Sequence, residues 1–227
     1  MTPSSATTAS SNPAPLGLFG GTFDPPHNGH LHIAHTALAT LPVANIRWIP
    51  SGDPGHRAAA PGAAGGHRLA MVRLAVAQEP RFSVDDAEIA SAVPTFTVPT
   101  LERLRTALGA HRPLILISGA DSFLSLPHWL RWQEVFSFAH IAVAARPGFT
   151  LSQDAMDPAL RAEFTRRTTD CAELARTPAG QIALFALPPL PVSATAIRER
   201  LRRGERTADL LPAAVQAYID SHHLYNP

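Results

Sequence analysis

Three things are scarce in this 227-residue chain: lysine, cysteine and long apolar runs. All 19 basic residues are arginine, which excludes the lysine-bearing glycine loop of Walker-type nucleotide-binding proteins. The single cysteine, Cys171, cannot form a disulfide within the chain, so we expect a reducing, cytoplasmic location. No apolar run approaches the roughly 20 residues that a spanning helix needs, and we expect no membrane partner.

Excess charge of one sign is lacking as well, since 19 basic residues face 18 acidic ones and the net charge is +1. This balance predicts no nucleic-acid partner. A hydrophobic content of 45% suffices for one α/β domain, which we place at 15–227. Residues 1–14 carry no charged side chain and predict a disordered tail rather than a secretory or transit peptide. The oligomeric state stays open, and a homo-oligomer is compatible with the sequence.

The most informative stretch follows this tail, at 16–41. An apolar run over 16–19 predicts a buried strand, and Gly20 and Gly21 then allow the backbone to approach a ligand closely. Two prolines stiffen the loop before a helix for which Asn28 is a plausible N-cap. His27 and His30 lie at this helix start, where free N–H groups and the helix dipole favour anions. The order strand, glycine turn and helix start predicts a phosphate site.

Further strands and helices alternate along the chain and predict a mainly parallel sheet. Leu114 to Ile117 forms the clearest central strand, apolar on both faces, and leads into Gly119 and Asp121. Asp121 faces a ligand there or caps the next helix. The acidic side chains of the strand predicted at 82–89 are expected on its solvated side. The remaining predicted elements are strands at 46–50, 139–144 and 182–187 and helices at 67–78 and 157–176.

A second anion site is predicted near the end of the chain. Ser193 can cap a helix, Thr195 places a hydroxyl in its first turn, and Arg198 offers a planar fork suited to phosphate oxygens. A capped amphipathic helix alone would explain Ser193 but gives no reason for Arg198.

Both motifs resemble those of one family. The run Gly20-Gly21-Thr22-Phe23-Asp24-Pro25-Pro26-His27-Asn28-Gly29-His30 resembles the signature of the nucleotidylyltransferase superfamily with the H-x-G-H motif, in the long form of bacterial nicotinate-nucleotide adenylyltransferases. The later motif resembles the family's I-S-S-T-x-I-R. The resemblance runs from about Leu16 to Tyr225 and implies a Rossmann-like, doubly wound α/β fold with helices on both faces of the sheet.

The resemblance also implies a reaction, adenylyl transfer from ATP to nicotinate mononucleotide with release of pyrophosphate. Magnesium would be carried on the ATP phosphates, and no metal site of the protein itself is expected. The implied catalytic residues are His27, His30 and Arg198. The implied ATP-binding residues are Gly20, Gly21, Thr22, Phe23, His27, His30, Gly119, Asp121, Ser193, Thr195 and Arg198. The implied nicotinate nucleotide-binding residues are Thr97, Trp129, Leu130, Arg57 and Arg146.

Several positions depart from the family pattern or admit a plainer interpretation. Ala194, Pro99 and Leu130 replace a hydroxyl, an aspartate and, in some relatives, an aromatic residue. Thr97 could instead cap its helix, together with Thr100. Arg146 could be an ordinary surface arginine. The loop over 51–66, which contains Arg57, is either a plain surface loop or one that closes over a phosphate. Trp132 is interpreted as core, and Cys171 has no assigned role.

Other functions remain open on these residues. The acceptor could be nicotinamide mononucleotide or another phosphate such as phosphopantetheine. The histidines at 27, 30, 32 and 35 suggest a metal-dependent hydrolase, but their spacing is not H-E-x-x-H and no carboxylate or cysteine partner is near. A catalytically silent nucleotide-binding module is the third alternative.

Overall fold

The computed structural model describes residues 13–52, 62–145 and 156–225. Its centre is a sheet of six parallel strands in the order β3-β2-β1-β4-β5-β6. The strands are β1 (Leu16–Gly21), β2 (Asn45–Pro50), β3 (Phe82–Val84), β4 (Leu114–Gly119), β5 (His140–Ala145) and β6 (Ile182–Ala186). This order confirms the predicted Rossmann-like, doubly wound fold.

Nine α-helices lie in the described part of the chain. They are α1 (Asn28–Thr40), α2 (Gly65–Val76), α3 (Ala87–Ala90), α4 (Thr97–Leu108), α5 (Ala120–Leu124), α6 (Val135–Phe138), α7 (Pro158–Arg167), α8 (Ala194–Arg202) and α9 (Ala213–Ser221). No helix among the described residues is long and apolar enough to cross a membrane.

The sheet is covered on both faces, as its sequence predicts. All six residues of β5 are buried, as are Leu114 to Ser118 of β4, because a central parallel strand packs against helices on both sides. One face packs on α4, α6 and α7, through residues such as Leu104 and Phe164. The other face packs on α1 and α2, through residues such as Ala37 and Val72.

The position of β1 determines where a ligand can bind. It pairs with β2 on one side and with β4 on the other. Strands β2 and β3 therefore extend the sheet in one direction from β1, and strands β4 to β6 extend it in the opposite direction. A crevice opens beyond the carboxyl ends of the strands at such a switch point. Gly20 and Gly21 at the end of β1 and Gly119 at the end of β4 therefore border one cleft.

A third apolar cluster lies apart from the sheet and orders the C-terminal helices. It joins α2, α8 and α9 through Met71, Ile197, Val215 and Ile219, and it includes Tyr225, the last described residue. This cluster holds α8 beside α2 and sets where the second predicted motif lies.

Three predicted elements differ from the structure. The strand predicted at 82–89 ends at Val84, because Asp85 accepts a hydrogen bond from the Ala87 N–H and the chain turns into α3. The helix predicted at 157–176 is interrupted after Arg167 by a bridge to β6 and a 3-10 turn. Helix α1 has His27, not Asn28, as its N-cap residue. Residues 1–12 of the predicted tail lie outside the described residues.

Candidate active site

The loop from β1 to α1 is tightly packed behind the cleft. Phe23 has a φ of +50°, a left-handed conformation that is uncommon for a bulky residue. Its ring meets Phe19 edge-on at 5.5 Å and His30 at 5.0 Å. Because Phe23 is only 2% exposed, its side chain belongs to the core, and a contact between this residue and ATP would involve its backbone.

His27 and His30 stack on one another at the start of α1, with ring centroids 3.8 Å apart. The backbone N–H of His27 donates to Nδ1 of His30 at 3.2 Å. That bond selects the neutral tautomer with its proton on Nε2, so the outer nitrogen of His30 is a hydrogen-bond donor. His30 lines the cleft.

Burial keeps both rings neutral in the free protein. Desolvation lowers the pKa of His27 to about 4. Desolvation and the neighbouring His27 lower the pKa of His30 well below its usual value. An anionic phosphate beside these rings would raise the pKa of both, because a negative charge nearby favours the protonated form.

Two buried polar atoms of the cleft lining have no hydrogen-bond partner among the described residues. They are Oγ1 of Thr22 and Oγ of Ser51. Buried polar groups are nearly always hydrogen-bonded, so each atom is suited to a ligand or to water. Ser51 was missed by sequence analysis; its position directly after a β-strand was the available signal.

The second motif meets the first although it lies far away in sequence. Ser193 caps α8 and accepts a hydrogen bond from the Ala196 N–H, as predicted. Arg198 donates from Nη1 to the carbonyl oxygen of Asp24 at 2.8 Å, across a sequence separation of 174 residues. A more distant Nη2 contact, at 3.4 Å, reaches the hydroxyl of Thr195.

Gly29, within the first motif, makes this approach possible. A Cβ atom at this position would lie 2.6 Å from Cγ1 of Val192 and 3.0 Å from the His27 ring. The absent side chain therefore lets the segment before α8 touch the start of α1. The structure brings the starts of two helices, both suited to anions, to one side of the cleft.

The cleft itself encloses a cavity of about 310 Å³ at the ends of β1, β2 and β4. Gly20, Gly21, Thr22, His30 and Gly119 line it, as do Thr97, Trp129 and Leu130. The cavity thus brings some of the predicted ATP-binding residues together with predicted nicotinate nucleotide-binding residues. Trp129 adds an aromatic side chain to the lining, and Leu130, 51% exposed, adds an apolar one.

Glu88 also lines the cavity, contrary to the expectation that the acidic residues of this stretch face solvent. Its carboxylate accepts hydrogen bonds from the Thr95 hydroxyl at 2.9 Å and the Thr100 hydroxyl at 2.6 Å. Asp85 departs from the same expectation, since its side chain is only 9% exposed and lies 2.8 Å from the Arg103 guanidinium. In the sequence, the threonine hydroxyls that follow Glu88 were the available sign that its carboxylate has partners within the protein.

The alternative interpretations can be placed as well. Helix α4 begins at Thr97 after Phe96, and no side chain caps it, so neither Thr97 nor Thr100 serves as its cap. Asp121 is exposed in the first turn of α5, outside the cavity lining, and does not cap that helix either. Trp132 is buried, as predicted.

Some predicted residues lie elsewhere or cannot be placed. Arg57 and Arg146 lie outside the described residues. The thiol of Cys171 contacts the Leu184 carbonyl at 3.4 Å, and burial raises its pKa, which disfavours the reactive thiolate. A ring nitrogen of His32 lies 2.9 Å from the Pro188 carbonyl oxygen, and His32 is not part of the cavity lining. Among the described residues, no group of three His, Cys, Asp or Glu side chains could hold a metal ion.

Comparison with known proteins agrees with this geometry. The Cytidylyltransferase-like family matches residues 18–200. A Dechloromonas aromatica protein named "Probable nicotinate-nucleotide adenylyltransferase" is 47% identical over 93% of this chain and 97% of its own. A protein of the same name from Yersinia enterocolitica is 46% identical, over 92% of this chain and 94% of its own.

A solved structure supports the fold independently of close sequence similarity. Plasmodium falciparum nicotinic acid mononucleotide adenylyltransferase, complexed with NaAD, aligns with a TM-score of 0.69 at 15% identity. The alignment covers 93% of this chain and 97% of that one. The 47% identity over nearly the full length, together with the contact between the two motifs, shows that this chain belongs to the nicotinate-nucleotide adenylyltransferases of the cytidylyltransferase-like family.

Proposed function

We propose that this enzyme transfers the adenylyl group of ATP to nicotinate mononucleotide, giving nicotinate adenine dinucleotide and pyrophosphate for NAD biosynthesis, with the residues below in named roles. The observation that carries the proposal is the 2.8 Å bond from Arg198 to the Asp24 carbonyl, which joins both phosphate motifs beside one cavity. Relatives that share this family name are 40–47% identical over most of the chain.

The reaction needs positioning more than acid–base chemistry. An oxygen of the acceptor phosphate, already anionic at neutral pH, attacks the α-phosphorus of ATP. A new P–O bond forms as the bond from that phosphorus to the bridging oxygen of the β-phosphate breaks, and pyrophosphate leaves with both electrons. No proton has to be removed from the nucleophile, so the protein's task is to hold two polyanions together and stabilise the leaving charge.

The residues divide this task between two helix starts. His30 would donate from Nε2 to a phosphate oxygen, and the backbone of Gly20 and Gly21 would pass close to the nucleotide. His27 would strengthen the first site as its ring gains a proton beside the phosphates. Arg198, with Ser193 and Thr195 at the start of α8, would hold the β- and γ-phosphates.

The nicotinate nucleotide would occupy the apolar side of the same cavity. Trp129 offers a flat surface for the pyridine ring, and Thr97 lies at the start of a helix that faces it. Glu88 would keep the Thr95–Thr100 segment in place through its two hydroxyl partners. The roles of Arg57 and Arg146 stay predictions from the family resemblance.

Magnesium fits this arrangement as part of the substrate. Glu88 is the one carboxylate among the described residues that line the cleft, and two hydroxyls already donate to it, so these residues do not form the oxygen cage that a resident Mg²⁺ prefers. The ion would enter on the ATP phosphates, where it neutralises charge on the leaving pyrophosphate.

Product analysis tests the proposal. The full chain is incubated with ATP, magnesium and nicotinate mononucleotide, and the nucleotides are separated by chromatography. We expect nicotinate adenine dinucleotide and pyrophosphate in equal amounts. Formation of ADP, or of AMP without the dinucleotide, would refute adenylyl transfer to this acceptor.

A further inference from the structure

Asp24 is a buried carboxylate that the proposed reaction does not use directly. It is 5% exposed and lies in the loop before α1. Oδ2 accepts from the Gly62 N–H at 2.6 Å, and Oδ1 accepts from the Ala63 N–H at 3.0 Å and from the Tyr225 hydroxyl at 2.7 Å. Segments distant in sequence therefore converge on one side chain behind the phosphate loop.

Tyr225 is an unusual partner for this carboxylate. It is 9% exposed, packs in the cluster of α2, α8 and α9, and has a φ of +63°. Phe23, next to Asp24, is also left-handed at +50°. A bulky residue adopts this conformation only where its surroundings enforce it, and such strain concentrates at functional sites.

Arg198 belongs to the same junction. Besides its bond to the Asp24 carbonyl, its Nη1 lies 3.8 Å from Oδ2 of Asp24. A Cβ atom on Gly62 would lie 3.2 Å from Cδ of Arg198, 3.2 Å from Cε1 of Tyr225 and 3.3 Å from Oδ2 of Asp24. The three side chains therefore surround one point, and only a residue without a Cβ fits there comfortably.

We propose that Tyr225 and Asp24 are positioning residues for adenylyl transfer, holding the loop before α1 against Arg198 so that the two phosphate-binding helix starts keep a fixed spacing. The inference rests on the proposed function of this site. Tyr225 is not part of the cavity lining, so it acts through Asp24. The burial of the Tyr225 hydroxyl and its contact with Asp24 raise its pKa, so it stays a donor throughout the physiological range.

The test removes one oxygen atom. Tyr225→Phe keeps the packed ring and deletes the hydrogen bond, while Asp24 keeps both backbone donors, so the fold is retained. Tyr218→Phe is the matched control: Tyr218 is the chain's other tyrosine, and its hydroxyl bonds to His67 at 3.0 Å rather than to the loop. Both variants lose one hydrogen bond from the same C-terminal region.

Kinetics then separate positioning from stability. In Tyr225→Phe we expect kcat/KM for ATP to fall about tenfold, because a loop held less firmly lets the spacing of the two helix starts vary. KM for nicotinate mononucleotide should change by less than about twofold, because that pocket has no contact with Tyr225. Tyr218→Phe should behave as wild type. Equal losses in both variants, or no loss in Tyr225→Phe, would overturn the proposal.

A binding measurement keeps this inference separate from the proposed function. If the wild-type chain forms no dinucleotide, the proposed reaction fails, and calorimetric titration with MgATP decides the inference instead. Tyr225→Phe should then bind MgATP about tenfold more weakly than wild type and Tyr218→Phe. Unchanged affinity would overturn the positioning role. Asp24→Asn, which keeps the shape and removes the charge, should weaken MgATP binding in the same direction.

Discussion

At the residue scale, the properties of the site follow from the hydrogen bond between two neighbouring histidines. The His27 N–H occupies Nδ1 of His30, so the ring can only donate from its outer nitrogen while neutral. A fixed donor at a helix start suits a phosphate oxygen better than a metal ion, which would need a free lone pair.

Replacement of His30 by alanine should therefore cost turnover far more than stability. We expect kcat to fall by about 10²- to 10³-fold, the usual effect of removing one donor to a developing charge. Measurement of pyrophosphate release and of the melting temperature separates the two effects. His35→Ala, at an exposed position on the same helix, serves as the control and should keep wild-type turnover.

The burial of His27 predicts a pH dependence of stability. Its pKa is about 4 in the folded protein and close to 6.5 when unfolded, so the unfolded chain takes up a proton first as the pH falls. The stabilising contribution of the neutral ring is complete above pH 6.5 and is lost progressively as the pH falls towards 4. Between pH 7 and pH 5 this residue alone should remove about 2 kcal/mol from the free energy of unfolding.

Urea denaturation at several pH values checks this prediction. The variant His27→Gln has no group that titrates at this position, so its unfolding free energy should fall less steeply over the same interval. Parallel curves for the variant and the wild type would show that His27 does not titrate as its burial requires.

At the scale of elements, two helix starts have to stay close together. Gly29 of α1 is the point of closest approach to the segment before α8, with room for no Cβ beside Val192. The glycine of this motif is thus explained by packing between two elements as well as by ligand access.

Gly29→Ala should push the two helix starts apart. We expect a loss of about 1–3 kcal/mol of stability from the overpacking and a raised KM for ATP. Gly66→Ala is the matched control, because Gly66 is also helical but a Cβ there meets no atom of the described residues within 4 Å. It should stabilise the chain by about 0.5–1 kcal/mol and leave the kinetics alone. Equal KM values for ATP in both variants would contradict the proposed role of the close contact between Gly29 and the segment before α8.

Substitutions of Ser193 can separate its role as the cap of α8 from its proposed role in binding phosphate. Ser193→Ala removes the cap and should cost about 1 kcal/mol of stability. Ser193→Asp restores a capping oxygen but adds negative charge where phosphates would bind, so stability should return while KM for ATP rises further. Thermal unfolding and steady-state kinetics on both variants show whether stability and KM for ATP change independently, as expected.

At the scale of the whole molecule, local patterns in the sequence predicted the main strands and the fold class well. The apolar runs of β1, β4, β5 and β6 and the Ser193 cap of α8 are short-range signals, and the doubly wound fold is confirmed. The strand predicted as far as Ile89 was wrong because a turn made by the Asp85 side chain overrides the apolar spacing there.

The contacts that assemble the site could not be predicted in the same way. The bonds from Arg198 and Tyr225 to Asp24 span 174 and 201 residues, and no local pattern reports such a distance. Glu88 looked like a solvated charge because its hydroxyl partners become visible only once the following segment folds back. The family resemblance predicted which residues form the site. The fold explains physically how several of these residues come to lie close together.

The acceptor of the adenylyl group is the point on which the whole account turns. The direct measurement is the rate of pyrophosphate release from MgATP by the full chain, with nicotinate mononucleotide and nicotinamide mononucleotide compared at equal concentrations. The account predicts a kcat/KM at least about tenfold higher for the acid, a difference of about 1.4 kcal/mol in transition-state stabilisation. A preference for the amide would contradict the assigned substrate, and release with neither acceptor would contradict the proposed reaction.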